Sequence, residues 1–289
     1  MTPTRKMVPE IGRHAALIAL GLLTLAPFII MLNISLKNDA QFFTEFWTLS
    51  RPIQWGNFAY AWDIVSRYIL NSVIVSGVSV FGVLFMASLS AYSFARFRFP
   101  GRGLLFFMVI GLLMIPGVLA LVPLFSLVQH FPLAGGNNIL GQGGSGLLNS
   151  RWGLILPYMA GGQIIAIFIL RNFFEAIPQS LFDAARVDGA SELHIIRLVV
   201  VPLSLPILIT VGLMVFLGTW NDYVWPLVVI RSPELRTLPV GMAFLQGEYE
   251  IKYGQVMAGY TIGCVPLLVL FVFTMKHFIQ GLTLGAIKG

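Results

Sequence analysis

Six stretches of the chain carry no charge over a length that reaches across a bilayer, and this limits the fold more than any other feature. They run Ala15 to Ile34, Ile69 to Phe94, Gly103 to Leu127, Gly153 to Leu170, Val199 to Trp220 and Val256 to Met275. A helix crossing the hydrocarbon core needs about 20 mainly apolar residues. A charged group at its centre costs roughly 2.5–3.5 kcal/mol on the insertion scale. Each stretch is therefore expected to span. With 289 residues, 57% hydrophobic and 10% charged, the connections must be short and no large soluble domain fits. The expected class is an all-α membrane protein with six transmembrane helices, one membrane domain over 15–279 lying between short ends, 1–14 and 280–289. The first stretch follows Arg5, Lys6 and Arg13 as a secretory signal would, but its apolar run is too long and no A-x-A site follows, so it is read as retained.

Charge sets the orientation. With the amino terminus inside, eleven of the 18 Lys and Arg residues fall on the cytoplasmic side, among them Arg96, Arg98, Arg102, Arg171, Arg186 and Arg197. The seven others, Lys37, Arg51, Arg67, Arg151, Arg231, Arg236 and Lys252, fall outside. Five of the 12 acidic residues lie inside and seven outside, so the whole net charge of +6 faces the cytoplasm. The positive-inside rule thus places both termini there, and nucleic acid is not needed to explain the basic excess.

The spans hold no ionisable residue at mid-depth, where an ion-coupled carrier keeps its relay. Asp222 lies at the outer end of the fifth span beside Asn221, and His277 at the inner end of the sixth. Energy for any transport must then come from outside the bilayer. There is no internal repeat of the kind that builds both halves of a pathway in one chain, so a pathway needs a partner chain. The single cysteine, Cys264, allows neither a disulfide framework nor a Cys-based zinc site. An intramembrane serine protease is the alternative from another class, because Gly143-Gly144-Ser145-Gly146 matches G-x-S-G. A nucleophilic serine needs a base within hydrogen-bond reach, yet Ser145 sits in a Gly-rich outer loop and His277 on the opposite face. The glycines read better as a flexible turn.

The most informative connection is 171–203, RNFFEAIPQSLFDAARVDGASELHIIRLVVVPL. It is too polar to span and too patterned for a linker. Ser180 followed by Asp183 is a possible capping box. Leu181, Ala184, Ala185 and Val187 then lie on a short helix whose alanines permit close approach, and Gly189 ends it. Ser191 caps a second helix that leads through Arg197 into the fifth span, with Pro202 in its first turns. The expectation is a helix-turn-helix elbow beneath the membrane, with an ordinary amphipathic surface helix as the plainer reading of the same residues.

Asp183-Ala184-Ala185, then Asp188-Gly189-Ala190, then Pro202 thirteen positions after the glycine, resembles the EAA loop of ATP-binding-cassette importer permeases. The family's usual glutamate is Asp183 here, one methylene shorter. Further motifs are similar to sugar importers of the maltose-permease second-subunit type: Asn57-Phe58 with Trp62 and Asn71-Ser72, Arg96-Phe97-Arg98-Phe99-Pro100-Gly101, Trp220-Asn221-Asp222 with Trp225-Pro226-Leu227, and the tail Gly281 to Gly289. A Gly-rich insert around 135–146 is longer than is usual in that group.

The resemblance implies a type I importer permease fold in a bacterial inner membrane, with the elbow as a coupling helix docked on a cytoplasmic ATPase. It implies a second homologous permease, an ATPase dimer that binds ATP and Mg, and an extracytoplasmic solute-binding protein, around a chain that is not itself an enzyme and binds no cofactor or metal. Coupling would rest on Asp183, Ala184, Ala185, Asp188, Gly189, Ala190 and Pro202. Asn71, Ser76, Thr219, Asn221 and Asp222 are the pore or substrate candidates. Gln246, Glu248, Tyr249 and Tyr253 are candidates for a loop that reaches the binding protein. Trp47, Trp55 and Trp62 fit an interfacial belt equally well. A sugar or oligosaccharide is the implied cargo, with a polyol or glycerophosphodiester as the alternative on the same machinery.

Overall fold

A computed structural model describes residues 4–247 and 252–286. The described residues form helices joined by turns, with no strand among them. Four helices are long and apolar enough to cross a membrane without a break, and two bent pairs bring the number to six if each pair is one span. The unbroken ones lie within α1 (Thr4–Ser35), α3 (Gly56–Arg96), α6 (Trp152–Ala176) and α13 (Tyr253–Ala286). A short α2 (Asp39–Thr44) precedes α3 and α12 (Leu238–Gly247) precedes α13.

The third and fifth expected spans are not single helices. In the third, α4 (Arg102–Gly111) and α5 (Leu121–Gln129) belong to arms bent by 95°. Ile115 precedes Pro116 and is extended, φ −83° and ψ 116°, because the proline ring disfavours the helical region for its predecessor. In the fifth, the arms 192–203 and 205–220 meet at 81°. Pro202 and Pro206 each remove an amide and crowd the carbonyl four residues back. The chain answers with a π-helical turn over Ile196–Val200 before the bend at Ser204.

Contacts divide the chain into two compact units, one comprising the chain up to Arg67 with Met242–Pro266, the other Tyr68–Gly241 with the chain from Leu267. In the first, the connection between α1 and α3 is tied down by polar side chains. Asn38 and Gln41 form a capping box at α2, and the Asn57 amide donates to the carbonyls of Ser35 and Lys37 at 3.0 and 2.8 Å. Lys37, in a connection expected on the outer side, is fully buried. Its ammonium donates to the carbonyls of Glu45 and Phe46, and burial lowers its pKa from the ordinary lysine value, opposed by the Glu45 charge.

In the second unit, α3, α6 and α10 (Leu205–Trp220) share a core that includes Val83, Ala87, Ala91, Ala166, Leu170, Val211 and Val215. Small residues let the backbones approach, as membrane helices require. A Cβ on Gly162 would stand 2.7 Å from Val83 Cγ2. A second cluster gathers Val75, Val128, Leu154, Ile155 and Trp225, the last on α11 (Val224–Val229).

The Gly-rich insert is a knot and not a flexible turn. Asn137 sits at its centre, donating to the carbonyls of Gln129 and Phe131 at 2.9 and 3.0 Å and accepting from the Gly144 amide at 2.8 Å. A Cβ at Gly144 would overlap the Gly135 carbonyl oxygen. That close approach explains why glycine stands there.

Candidate functional site: the elbow between α6 and α10

Ile177 precedes Pro178 and is extended, so α6 stops at Ala176 and α7 (Gln179–Val187) starts directly after the proline. This overturns the capping box expected at Ser180. The residue before the helix is Pro178, no side chain caps it, and Asp183 instead accepts from the Gln179 amide at 2.9 Å within the same helix.

The end of α7 follows the expectation. Gly189 is left-handed, φ +79°. The Ala190 amide donates to the Ala185 carbonyl at 2.9 Å and the Gly189 amide to the Arg186 carbonyl at 3.0 Å, the bond pair of a Schellman motif. Ser191 then accepts from the His194 amide at 3.4 Å and caps α8 (Glu192–Ile195). The elbow is thus two short helices around one glycine turn, joined to α10 through the π turn and α9 (Val201–Leu203).

One face of the elbow is built into the protein and the other has no cover among the described residues. Phe182 is fully buried and Ala185 and Ala190 pack on the same core. Asp183, Ala184, Asp188 and Gly189 are exposed, and Val187 is 87% exposed. The seven coupling candidates therefore separate: four on the open face, Ala185 and Ala190 on the inner face, and Pro202 behind, near the bend. A salt bridge of 3.1 Å between Arg186 and Glu192 joins the two elbow helices, and its hydrogen bond raises the Arg186 pKa above the ordinary arginine value.

The residues that hold the elbow were missed as such in the sequence. Arg96, the last residue of α3, donates to the carbonyls of Phe174 and Ile177 at 2.5 and 2.6 Å and to Gln179 Oε1 at 3.1 Å. Its guanidinium carbon lies 3.9 Å from the centroid of the Phe182 ring. Tyr92 donates to Glu192 Oε2 at 2.5 Å. A lone aromatic in a short polar helix was the available signal for Phe182, but nothing local pairs Tyr92 with a residue 100 positions away.

The pore candidates scatter. Asn71 is buried and its amide is fully engaged, donating to the carbonyls of Glu234 and Arg236 at 2.7 and 3.0 Å and accepting from Arg151 at 2.9 Å. Ser76 is buried with no partner for its hydroxyl among the described residues. Thr219 bonds its own helix at Val215, as the exposed Asn221 does at Leu217. Asp222 accepts from the Tyr158 hydroxyl at 2.8 Å and from the Val224 amide, the first of α11, at 3.1 Å. None of these five lines the apolar cavity of about 680 Å³ between α3, the second elbow helix and α10. Tyr253 stacks on Phe42, centroids 4.2 Å apart. Glu248 and Tyr249 lie outside the described residues, as does the Gln246 side chain. Among the described residues no hydrogen bond joins the Ser145 hydroxyl to a histidine, and no group of three or more His, Cys, Asp or Glu could hold a metal.

The candidate spans thus carry an elbow between α6 and α10 with one face open. The family model for the binding-protein-dependent transport system inner membrane component matches residues 84–283, and the chain belongs to that family. It is an ABC importer permease, a multi-pass membrane protein.

The arabinooligosaccharides transport system permease protein AraQ of Bacillus subtilis is 30% identical over 276 residues, covering 93% of this chain and 92% of the relative. The trehalose/maltose transport system permease protein MalG of Thermococcus litoralis is 32% identical over 223 residues, covering 77% and 75%. A crystal structure of a bacterial ABC transporter involved in the import of the acidic polysaccharide alginate superposes with a TM-score of 0.79 at 21% identity, covering 96% of this chain and 99% of that one, and shares its fold.

Proposed function

We propose that this chain is one of two permease subunits of an ATP-driven importer of a sugar or oligosaccharide, and that its elbow docks on a cytoplasmic ATPase. The observation that carries the coupling role is the open face of α7 and its glycine turn: Asp183, Ala184, Val187, Asp188 and Gly189 are exposed, while Phe182 and Ala185 on the other face pack into the core. Small side chains flanked by carboxylates suit insertion into a cleft with basic edges. ATP and Mg then bind to the ATPase pair and not to this chain, which performs no chemistry. Docking on the cytoplasmic side puts both termini inside, in agreement with the charge distribution. A solute-binding protein delivers cargo at the outer face, and the sugar assignment follows the cargo named for the two relatives. Asn221 and Asp222 are the remaining polar groups with exposed surface among the pore candidates.

The test is a tagged pull-down of the detergent-solubilised complex. Wild type should bring down a second multi-span permease and an ATPase. Gly189→Arg should insert normally and lose the ATPase, because a Cβ at Gly189 meets nothing within 4 Å among the described residues and the side chain projects into the docking space. Gly189→Ala carries the same backbone strain, about 1–2 kcal/mol for a left-handed residue, without the bulk, and should keep the ATPase. Equal retention by Arg and Ala variants would end the docking assignment.

A further inference from the structure

We propose that Arg96 and Tyr92, at the end of α3, are the positioning residues that register the elbow, so that a push on α7 is delivered to α3. The inference rests on the reading of the elbow as the ATPase contact and adds the residues through which that contact acts.

The elbow's covalent attachments are poor transmitters. Upstream, Ile177 and Pro178 are extended and interrupt the helical hydrogen bonds between α6 and α7. Downstream, the π turn and the 81° bend at Ser204 redirect the path to α10. A helix carries force along its own bonded ladder; the upstream ladder is broken here, and the downstream one, continued at Ser204 by its amide donating to the Val200 carbonyl and its carbonyl accepting from the Leu208 amide, both at 2.9 Å, turns through 81°.

The side chains of α3 bridge the upstream break and hold the second elbow helix ahead of the bend. The carbonyls of Phe174 and Ile177 lie at the C-terminal end of α6, where the Phe174 oxygen takes only a long 3.3 Å bond from the Ile177 amide and a cation is favoured by the dipole. Arg96 satisfies both with one nitrogen while the other reaches Gln179 in the first turn of α7. Its flat face covers Phe182, the buried anchor of α7. One planar fork thus ties three helices, a geometry lysine cannot reproduce. One turn earlier on the same face of α3, Tyr92 holds Glu192 at the start of α8, and Glu192 holds Arg186 at the end of α7. Both elbow helices are consequently pinned to the last two turns of α3. That same helix lines the apolar cavity through Val80, Leu84 and Ser88, facing Leu208 and Gly212 of α10, so displacement of α3 with the elbow changes the shape of that cavity.

The experiment uses the full importer reconstituted in vesicles, with ATPase stimulation by loaded solute-binding protein as the readout. In a Cys264→Ser background, Tyr92→Cys with Glu192→Cys removes the polar tie, and a short thiol-to-thiol cross-linker replaces it covalently, its yield scored by mass spectrometry. We expect stimulation to fall by about fivefold or more, within the usual range of coupling between sites, while the ATPase stays bound, and to recover on cross-linking. Arg96→Lys keeps the charge without the fork and should lose stimulation as Arg96→Ala does. Unchanged stimulation in the double-cysteine protein, or no recovery once cross-linked, overturns the proposal, as does full stimulation in Arg96→Lys. Failure of the elbow reading itself has a different signature, an ATPase whose binding is indifferent to Gly189→Arg.

Discussion

Asn71 offers the clearest separation of a structural role from a transport role. Its side chain supplies every bond an amide can use here, with two donated to the carbonyls of Glu234 and Arg236 and one oxygen accepting from Arg151. Replacement by leucine, similar in size, leaves two carbonyls and one guanidinium without this partner. Each buried group left unsatisfied costs about 1–3 kcal/mol, and with Arg151 only half-buried the total is about 3–5 kcal/mol. At about 2–4 °C per kcal/mol for a chain of comparable size, the unfolding midpoint in detergent should drop by roughly 10 °C. Asn71→Asp keeps the oxygen that faces Arg151 but turns a second oxygen toward two carbonyls, and should also destabilise. The assay is thermal unfolding of the purified permease beside the cargo concentration that gives half-maximal transport in vesicles. An unchanged midpoint with a raised half-saturation in Asn71→Leu would refute the structural account and return Asn71 to the pore.

Gly144→Ala should loosen the Gly-rich knot, because its Cβ meets backbone that has no rotamer to give. Forced overpacking of this kind costs about 1–3 kcal/mol or more, and limited proteolysis should cut within 131–149 faster than in wild type, equal rates counting against a rigid knot. Ser191→Ala removes the cap of α8, worth about 1 kcal/mol, so amide exchange across 192–195 should accelerate by about fivefold. No acceleration would mean that the elbow does not depend on its cap.

The apolar runs that become the candidate spans are legible in the sequence because the bilayer disfavours charge at its centre, a rule that acts residue by residue and needs no tertiary partner. The glycine turn at Gly189 and the serine cap at Ser191 were equally legible, since both are set by local backbone chemistry. The start of α7 was misread from Ser180 although its cause is local too: Pro178 fixes its own backbone and forces Ile177 out of the helix, and that signal outweighs a possible cap.

Other features depended on the fold. A proline within an apolar run announces a break but not its angle, so the 95° and 81° bends were decided by packing. The burial of Lys37 among carbonyls and the withdrawal of Asn71 into a polar hub depend on residues up to 165 positions away. The same holds for the clamp on the elbow, where Arg96 and Tyr92 meet Phe182 and Glu192 only once α3 and α6 have packed. Local bonding and solvation are written along the chain, whereas the partner of a long polar side chain is chosen by whichever distant backbone the folded core brings within about 3 Å.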